Sequence, residues 1–344
     1  MGDFPAEPHV SSPYTGSPYS RRTAILDPAE FFGRRKELET IYGLICRKTS
    51  LYLLGERRTG KSSLLNALRF PRDPGEFPMP VNPCYIFWNS LYFSSSDESR
   101  LLRQLFSQIS RELTAPILDP VRESLPEAGE FARRARRQLI VLIDEFDVLV
   151  HNPAIPRDFF GVLRAWAEEF EIPFVIACRE GSIEGLLDTN QVGSPFWNIL
   201  QNVYVGPMSE EESMELISTP AASLDRPFSD EDLDQIQSWG GHHPFFLQMA
   251  ADHTFRTSGR EEQKRNFLQE ADVHYAYIFS VLPERELAYL RGNRNDSRAE
   301  SELLRKGILI RDEKGERLFS SLFRDKIIVQ PTSFLEQVKA FYIK

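Results

Sequence analysis

Cysteine is scarce, with three in 344 residues. Cys46, Cys84 and Cys178 lie far apart in sequence, their number is odd, and no two share metal-ligand spacing. A disulfide scaffold and a cysteine-built zinc site are therefore excluded. All three are expected to be reduced thiols in the core. Long apolar runs are also missing: no stretch approaches the ~20 residues that span a bilayer, so no membrane partner is expected. The opening Met1-Gly2-Asp3-Phe4-Pro5 has no apolar export core, which makes a cytoplasmic protein the expectation. An excess of positive charge is absent as well. The net charge of −9 excludes a chain that binds polyanions over its whole surface. The imbalance is uneven, because residues 251–344 hold 17 of the 41 Lys+Arg and 15 of the 50 Asp+Glu. A near-neutral C-terminal module thus follows an acidic body.

Along the chain, residues 1–27 are rich in Pro, Ser, Gly and Tyr and are expected to be disordered or draped on the body. Strand and helix signals alternate from there. A helix is predicted over 28–43, and strands over 50–54, 84–88, 139–143, 174–178 and 203–205. Helices are predicted over 62–70, 97–113 and 157–170. Leu139-Ile-Val-Leu-Ile143 is a continuous apolar run, the mark of a strand buried on both faces. Strands separated by helices imply right-handed crossovers and a parallel sheet. Beyond residue 209 the strands stop. Acidic helices are predicted over 209–218, 229–238 and 243–256. Further helices and a small hairpin around Glu313-Lys-Gly-Glu316 follow, a pattern that fits a winged helix. The expected organisation is an extended segment (1–27), an α/β core with a five-stranded parallel sheet (28–208), a helical lid (209–262) and a winged-helix module (263–344).

The strongest motif is Gly55-Glu-Arg-Arg-Thr-Gly60-Lys61-Ser62, a match to the phosphate loop at every fixed position. It stands between an apolar strand and an apolar helix, as the strand–loop–helix context requires. The two glycines let successive N–H groups point inward, and the helix N-terminus adds about half a positive charge. Gly55, Arg58, Thr59, Gly60, Lys61, Ser62 and Ser63 are the candidate nucleotide contacts. Lys61 can bridge β- and γ-phosphates, and Ser62 can hold Mg²⁺. The second motif is Leu139-Ile-Val-Leu-Ile-Asp144-Glu145, which ends a buried strand at the edge where ligands sit in open α/β sheets. Asp144 is the expected second metal residue and Glu145 the expected general base for an attacking water. A base beside the metal aspartate favours hydrolysis of a nucleotide over phosphoryl transfer to a small molecule. Third, Arg179 follows the run Phe174-Val-Ile-Ala-Cys178 and is a candidate reader of the γ-phosphate, with a surface pair to Glu180 as the plainer reading.

Gly33-Arg34-x-x-Glu37-Leu38, the phosphate loop, Asp144-Glu-Phe-Asp147, the strand ending at Arg179 and Gly240-Gly-His-His-Pro244 together resemble the STAND-type ATPases and their archaeal-type relatives, within the AAA+-like division. The resemblance spans roughly residues 28–329. It implies that Arg34 and Pro244 line an adenine pocket, that Arg179 senses the γ-phosphate, and that a lid and winged helix follow the core. It implies ATP and Mg²⁺ as cofactors and a switch that engages a protein partner or a second copy, in signalling or defence. Two residues, His242 and His243, stand between the glycine pair and the proline where the family pattern has one. No arginine occurs between Arg179 and Val203, where ring ATPases of this division place a finger, which favours a switch over a ring motor.

The rival reading is a DNA-binding ATPase resembling origin-binding initiators, with the winged helix on duplex. Its expected recognition segment, 297–306, mixes Arg298, Arg305 and Lys306 with Glu300 and Glu302. A small-molecule P-loop kinase would need an arginine-rich lid after the fourth strand, which this chain lacks. Arg133-Arg-Ala-Arg-Arg137 reads as a solvated helix end, and His242, His243 and His253 lack a convincing fourth partner for zinc.

Overall fold

The computed structural model describes residues 16–70, 75–116, 118–178, 196–312 and 315–329. Its α/β part contains strands β1 (Leu51–Leu54), β2 (Pro83–Asn89), β3 (Gln138–Asp144), β4 (Phe174–Ala177) and β5 (Gln201–Tyr204). All are parallel neighbours in the order β2-β3-β4-β1-β5. Helices α1 (Arg35–Cys46), α2 (Lys61–Ala67), α3 (Glu98–Leu113), α4 (Leu125–Arg134), α5 (Phe146–Val150) and α6 (Asp158–Phe170) connect and cover them.

The period of two within β3 explains both layers. Leu139, Val141 and Ile143 enter one core with Trp88, Leu105 and Phe159, whereas Ile140 and Leu142 enter the other with Tyr42, Leu65 and Val175. Helix α3 supplies the first core from Leu101, Leu102, Leu105, Phe106 and Ile109, one face at helical spacing. Asp97 starts that helix by accepting the Arg100 N–H.

Among the described residues, the helices that follow are α7 (Glu210–Ala222), α8 (Asp230–Gly240), α9 (Pro244–Arg256), α10 (Arg260–Val281), α11 (Glu284–Leu290), α12 (Ser297–Arg305) and α13 (Ser321–Val329). Ser209 with Glu212 and Ser229 with Asp232 form capping boxes that fix the starts of α7 and α8. Between α12 and α13 lies an antiparallel hairpin, β6 (Leu309–Asp312) and β7 (Gly315–Leu318). One apolar core runs through this whole part, from Met208 and Ile217 through Phe246 and Tyr275 to Phe319 and Phe323. The boundary expected at 262/263 falls inside α10.

Two expectations need correction. The first helix does not occupy 28–43: Pro28–Glu30 is a single 3-10 turn and α1 begins at Arg35. The break comes from Gly33 and Arg34, both left-handed at φ 68° and 62°, which no α-helix accommodates. Cys46 is only half-buried, unlike Cys84 and Cys178, because it sits at the last position of α1. Residues 1–15 lie outside the described residues, but 16–27 are draped across the molecule. Tyr19 is 1% exposed and donates its hydroxyl to the Ile217 carbonyl.

Candidate functional site

The phosphate loop joins β1 to α2, as its flanking sequence predicts. Gly55 is required by a close approach, since a Cβ there would stand 2.4 Å from the Val205 carbonyl oxygen. Gly60 turns the chain into α2 at φ 99°, a conformation that costs glycine little. The Thr59 hydroxyl donates to the Glu56 carbonyl at 2.9 Å, bracing the loop from within.

Lys61 bends back over the loop and donates to the Gly55 and Glu56 carbonyls at 2.7 and 2.8 Å. Burial pulls its pKa below the ordinary lysine value, while Glu56, Glu145 and Asp144 oppose that pull. Ser62, on the first turn of α2, donates to Asp144 Oδ1 at 3.1 Å. The Glu145 N–H donates to the same oxygen at 3.1 Å. Burial raises the Asp144 pKa, and the bonds from Ser62 and Glu145 counter it. Ser62 and Asp144 come from elements 82 residues apart, yet they present adjacent hard oxygen donors, the type Mg²⁺ takes. Glu145 follows at φ 53°, a left-handed turn between β3 and α5 that lines the same cleft.

The cleft measures about 500 Å³ and is walled by the loop, by Pro244 and Phe245 of α9, and by residues 21–25 of the N-terminal segment. Arg34 is buried along its edge. It donates to the Thr59 carbonyl at 2.8 Å and pairs with Glu37 at 2.6 Å, so it holds the loop's backbone as well as bordering the cleft. Arg58 lies over the Phe245 ring, 4.2 Å from its centroid, and donates to the Arg22 carbonyl at 3.3 Å. The Ser63 hydroxyl accepts the Ile25 N–H at 3.0 Å. The structure therefore brings Arg34, Gly55, Arg58, Thr59, Gly60, Lys61, Ser62, Ser63, Asp144, Glu145 and Pro244 to one place. Arg179 lies outside the described residues, one position beyond Cys178.

The N-terminal segment is the part of this site that sequence reasoning missed. Arg22 reaches across to the helical part, binding Glu270 at 2.6 Å and Asp252 at 3.0 Å. A segment of Pro, Ser and Tyr carries no local signal for such docking. The histidines go to separate tasks. His242 meets the Ser213 hydroxyl at 3.0 Å and His253 meets Glu270 at 3.0 Å. His243 packs against Phe246 with the rings tilted at 58°, and burial drives its pKa down to about 3.

A family model described as novel STAND NTPase 2 matches residues 119–266. Among curated proteins none matches the chain. The Walker-type ATPase paby2304 of Pyrococcus abyssi superposes with a TM-score of 0.63 at 14% identity, covering 90% of this chain and 99% of that one. The ORC2 protein of Aeropyrum pernix, solved as ADPNP-ADP complexes, superposes with a TM-score of 0.52 at 15% identity, covering 95% and 98%. At such identities these likenesses establish the fold. Sheet order, phosphate loop and acidic strand end define a P-loop NTPase. Within that class, residues 119–266 are similar to the STAND NTPases. Among the described residues no helix is long and apolar enough to cross a membrane.

Proposed function

We propose that the protein binds ATP with Mg²⁺, hydrolyses it slowly, and uses the bound nucleotide to set the position of its helical part. The observation that carries this reading is the Ser62–Asp144 hydrogen bond in a cleft that Pro244 and Phe245 of the lid also line. Lys61, Arg34, Arg58, Thr59, Ser63 and the loop N–H groups would hold the phosphates and nucleoside, and Ser62 with Asp144 would hold the metal. Bound Mg²⁺ would neutralise charge on the β- and γ-phosphates. Glu145 would accept a proton from the attacking water, and Arg179 would read the γ-phosphate. Because Pro244 and Phe245 border the same space, a nucleotide filling it bears on α9 directly.

In this reading 28–208 is the catalytic core, 209–262 the lid, and α11, α12 and the β6–β7 hairpin a winged helix that meets a protein partner or a second copy. The duplex-binding reading is disfavoured by charge pairing. Arg305 pairs with Glu302, Lys306 with Glu286, and Arg311 with Glu300, so these three cations near α12 are already matched within the chain. Calorimetry with ATP and ADP in Mg²⁺, followed by affinity capture of partners in each nucleotide, tests the proposal. Nucleotide binding with a partner retained in only one state is expected. Absence of nucleotide binding by the folded chain would refute it.

A further inference from the structure

Three successive side chains of the phosphate loop, Glu56, Arg57 and Arg58, reach the helical part of the molecule. Arg57 lies over the Tyr277 ring of α10 at 5.1 Å, and Arg58 lies over Phe245 of α9. Glu56 faces the C-terminal module: its carboxylate is 3.9 Å from Lys306 Nζ, within ion-pair reach but beyond hydrogen-bond distance. Lys306 follows α12 and is held by Glu286 of α11 at 2.9 Å. Its side chain is 10% exposed and that of Glu286 only 1%. One buried ammonium thus stands between a carboxylate of the module and a carboxylate of the phosphate loop. The contact has little slack, because next to it Gly307 approaches Pro207 so closely that a Cβ would stand 2.7 Å from the proline ring.

Glu56 also has an inner face. Its carbonyl accepts one of the Lys61 hydrogen bonds. A phosphate entering the loop competes with that carbonyl for the same ammonium, so the residue that feels the ligand through its backbone meets the module through its side chain. Coulomb attraction varies as 1/r, so a shift of a few tenths of an ångström at about 4 Å changes it by only ~5–10%, and the coupling depends on the loop moving far enough to make or break the pair.

We infer that Glu56 and Lys306 form the joint through which occupancy of the phosphate loop reaches residues 284–312, separately from the contacts of Arg57 with α10 and of Arg58 with α9. This rests on the switch reading above. The test is hydrogen exchange on the full-length chain with ATP–Mg²⁺ or ADP–Mg²⁺, comparing wild type, Glu56→Gln and Lys306→Gln. Glu56→Gln is the primary variant, because it leaves the Lys306–Glu286 pair intact, whereas Lys306→Gln strands a buried carboxylate. In wild type, exchange in 284–312 is expected to differ between nucleotides by about fivefold or more. In Glu56→Gln that ratio is expected to fall to near one, while the difference over 240–247 persists. A full wild-type response at 284–312 in Glu56→Gln would overturn the joint, and so would loss of the response at both segments together. A wild-type chain that responds at 240–247 alone also overturns it. A wild-type chain that responds at neither segment overturns the switch reading itself.

Discussion

The Ser62 hydroxyl, on the first turn of α2, is hydrogen-bonded to the carboxylate of Asp144, the last residue of β3, across an intervening strand. That bond draws together the two oxygens best suited to a hard cation and sets them beside the Lys61 ammonium. The chemistry proposed for the cleft depends on this meeting of a helix start and a strand end.

Lys61→Ala is expected to leave the protein folded and cost about 2 to 3 kcal/mol of ATP binding, or roughly 30- to 150-fold in affinity. Calorimetry on the variant, with circular dichroism as the folding control, measures this. Unchanged affinity would remove the loop from nucleotide binding.

Glu145→Gln keeps the shape of the side chain and removes its proton acceptor. ATP affinity is expected to persist while turnover falls by about 10²- to 10⁴-fold. Steady-state phosphate release reports it. Unaltered turnover would shift the base to Asp147, which is buried two residues further on.

Arg22→Ala removes charge-assisted bonds to Asp252 and Glu270 and leaves Asp252, 5% exposed at its side chain, without that partner. A loss of about 2 to 3 kcal/mol in urea unfolding is expected. A change within ~0.5 kcal/mol would mean that the N-terminal segment merely rests on the surface.

Acidification tests the buried histidine. His243 is held neutral, with its pKa driven by burial from 6.5 down to about 3. Below 6.5 the unfolded chain takes up a proton that the folded chain refuses, so stability falls as pH drops from 6.5 toward 3. The slope for one such group is about 1.4 kcal/mol per pH unit. His243→Gln is expected to flatten the stability profile between pH 6 and 4. Glu270 acts in a lower window. His253, above all, and then Arg22 hold its pKa near 2 against burial, so its contribution is present above 4.5 and lost as pH falls toward 2.

Duplex DNA is expected to bind no tighter than about 10⁻⁶ M at physiological salt. Fluorescence anisotropy across a salt series measures this. Submicromolar affinity with a steep salt slope would favour the initiator-like reading.

The phosphate loop, the acidic strand end and the parallel sheet were legible because each is written in a short contiguous stretch. Leu139–Ile143 could only be a strand buried on both faces. The start of α1 was misread because the residues at 28–32 hide the left-handed pair Gly33 and Arg34; at Gly33 a Cβ would stand 2.6 Å from Met208 and 2.9 Å from Glu212, a closeness the local sequence does not reveal. The N-terminal segment was illegible for a different reason. Tyr19 and Arg22 find their partners at Ile217, Asp252 and Glu270, 198 to 248 residues away, and composition carries no information about such distant pairs. The same holds for Glu56 and Lys306, which look like ordinary surface charges until the fold sets them side by side.

The central claim is that nucleotide state positions the helical part, and hydrogen exchange on the wild-type chain tests it most directly. With ATP–Mg²⁺ against ADP–Mg²⁺ at saturation, protection over residues 240–247 is expected to differ by about fivefold or more, the size of a typical coupling between sites. Identical exchange over that segment in both nucleotides, with both shown by calorimetry to be bound, would contradict it.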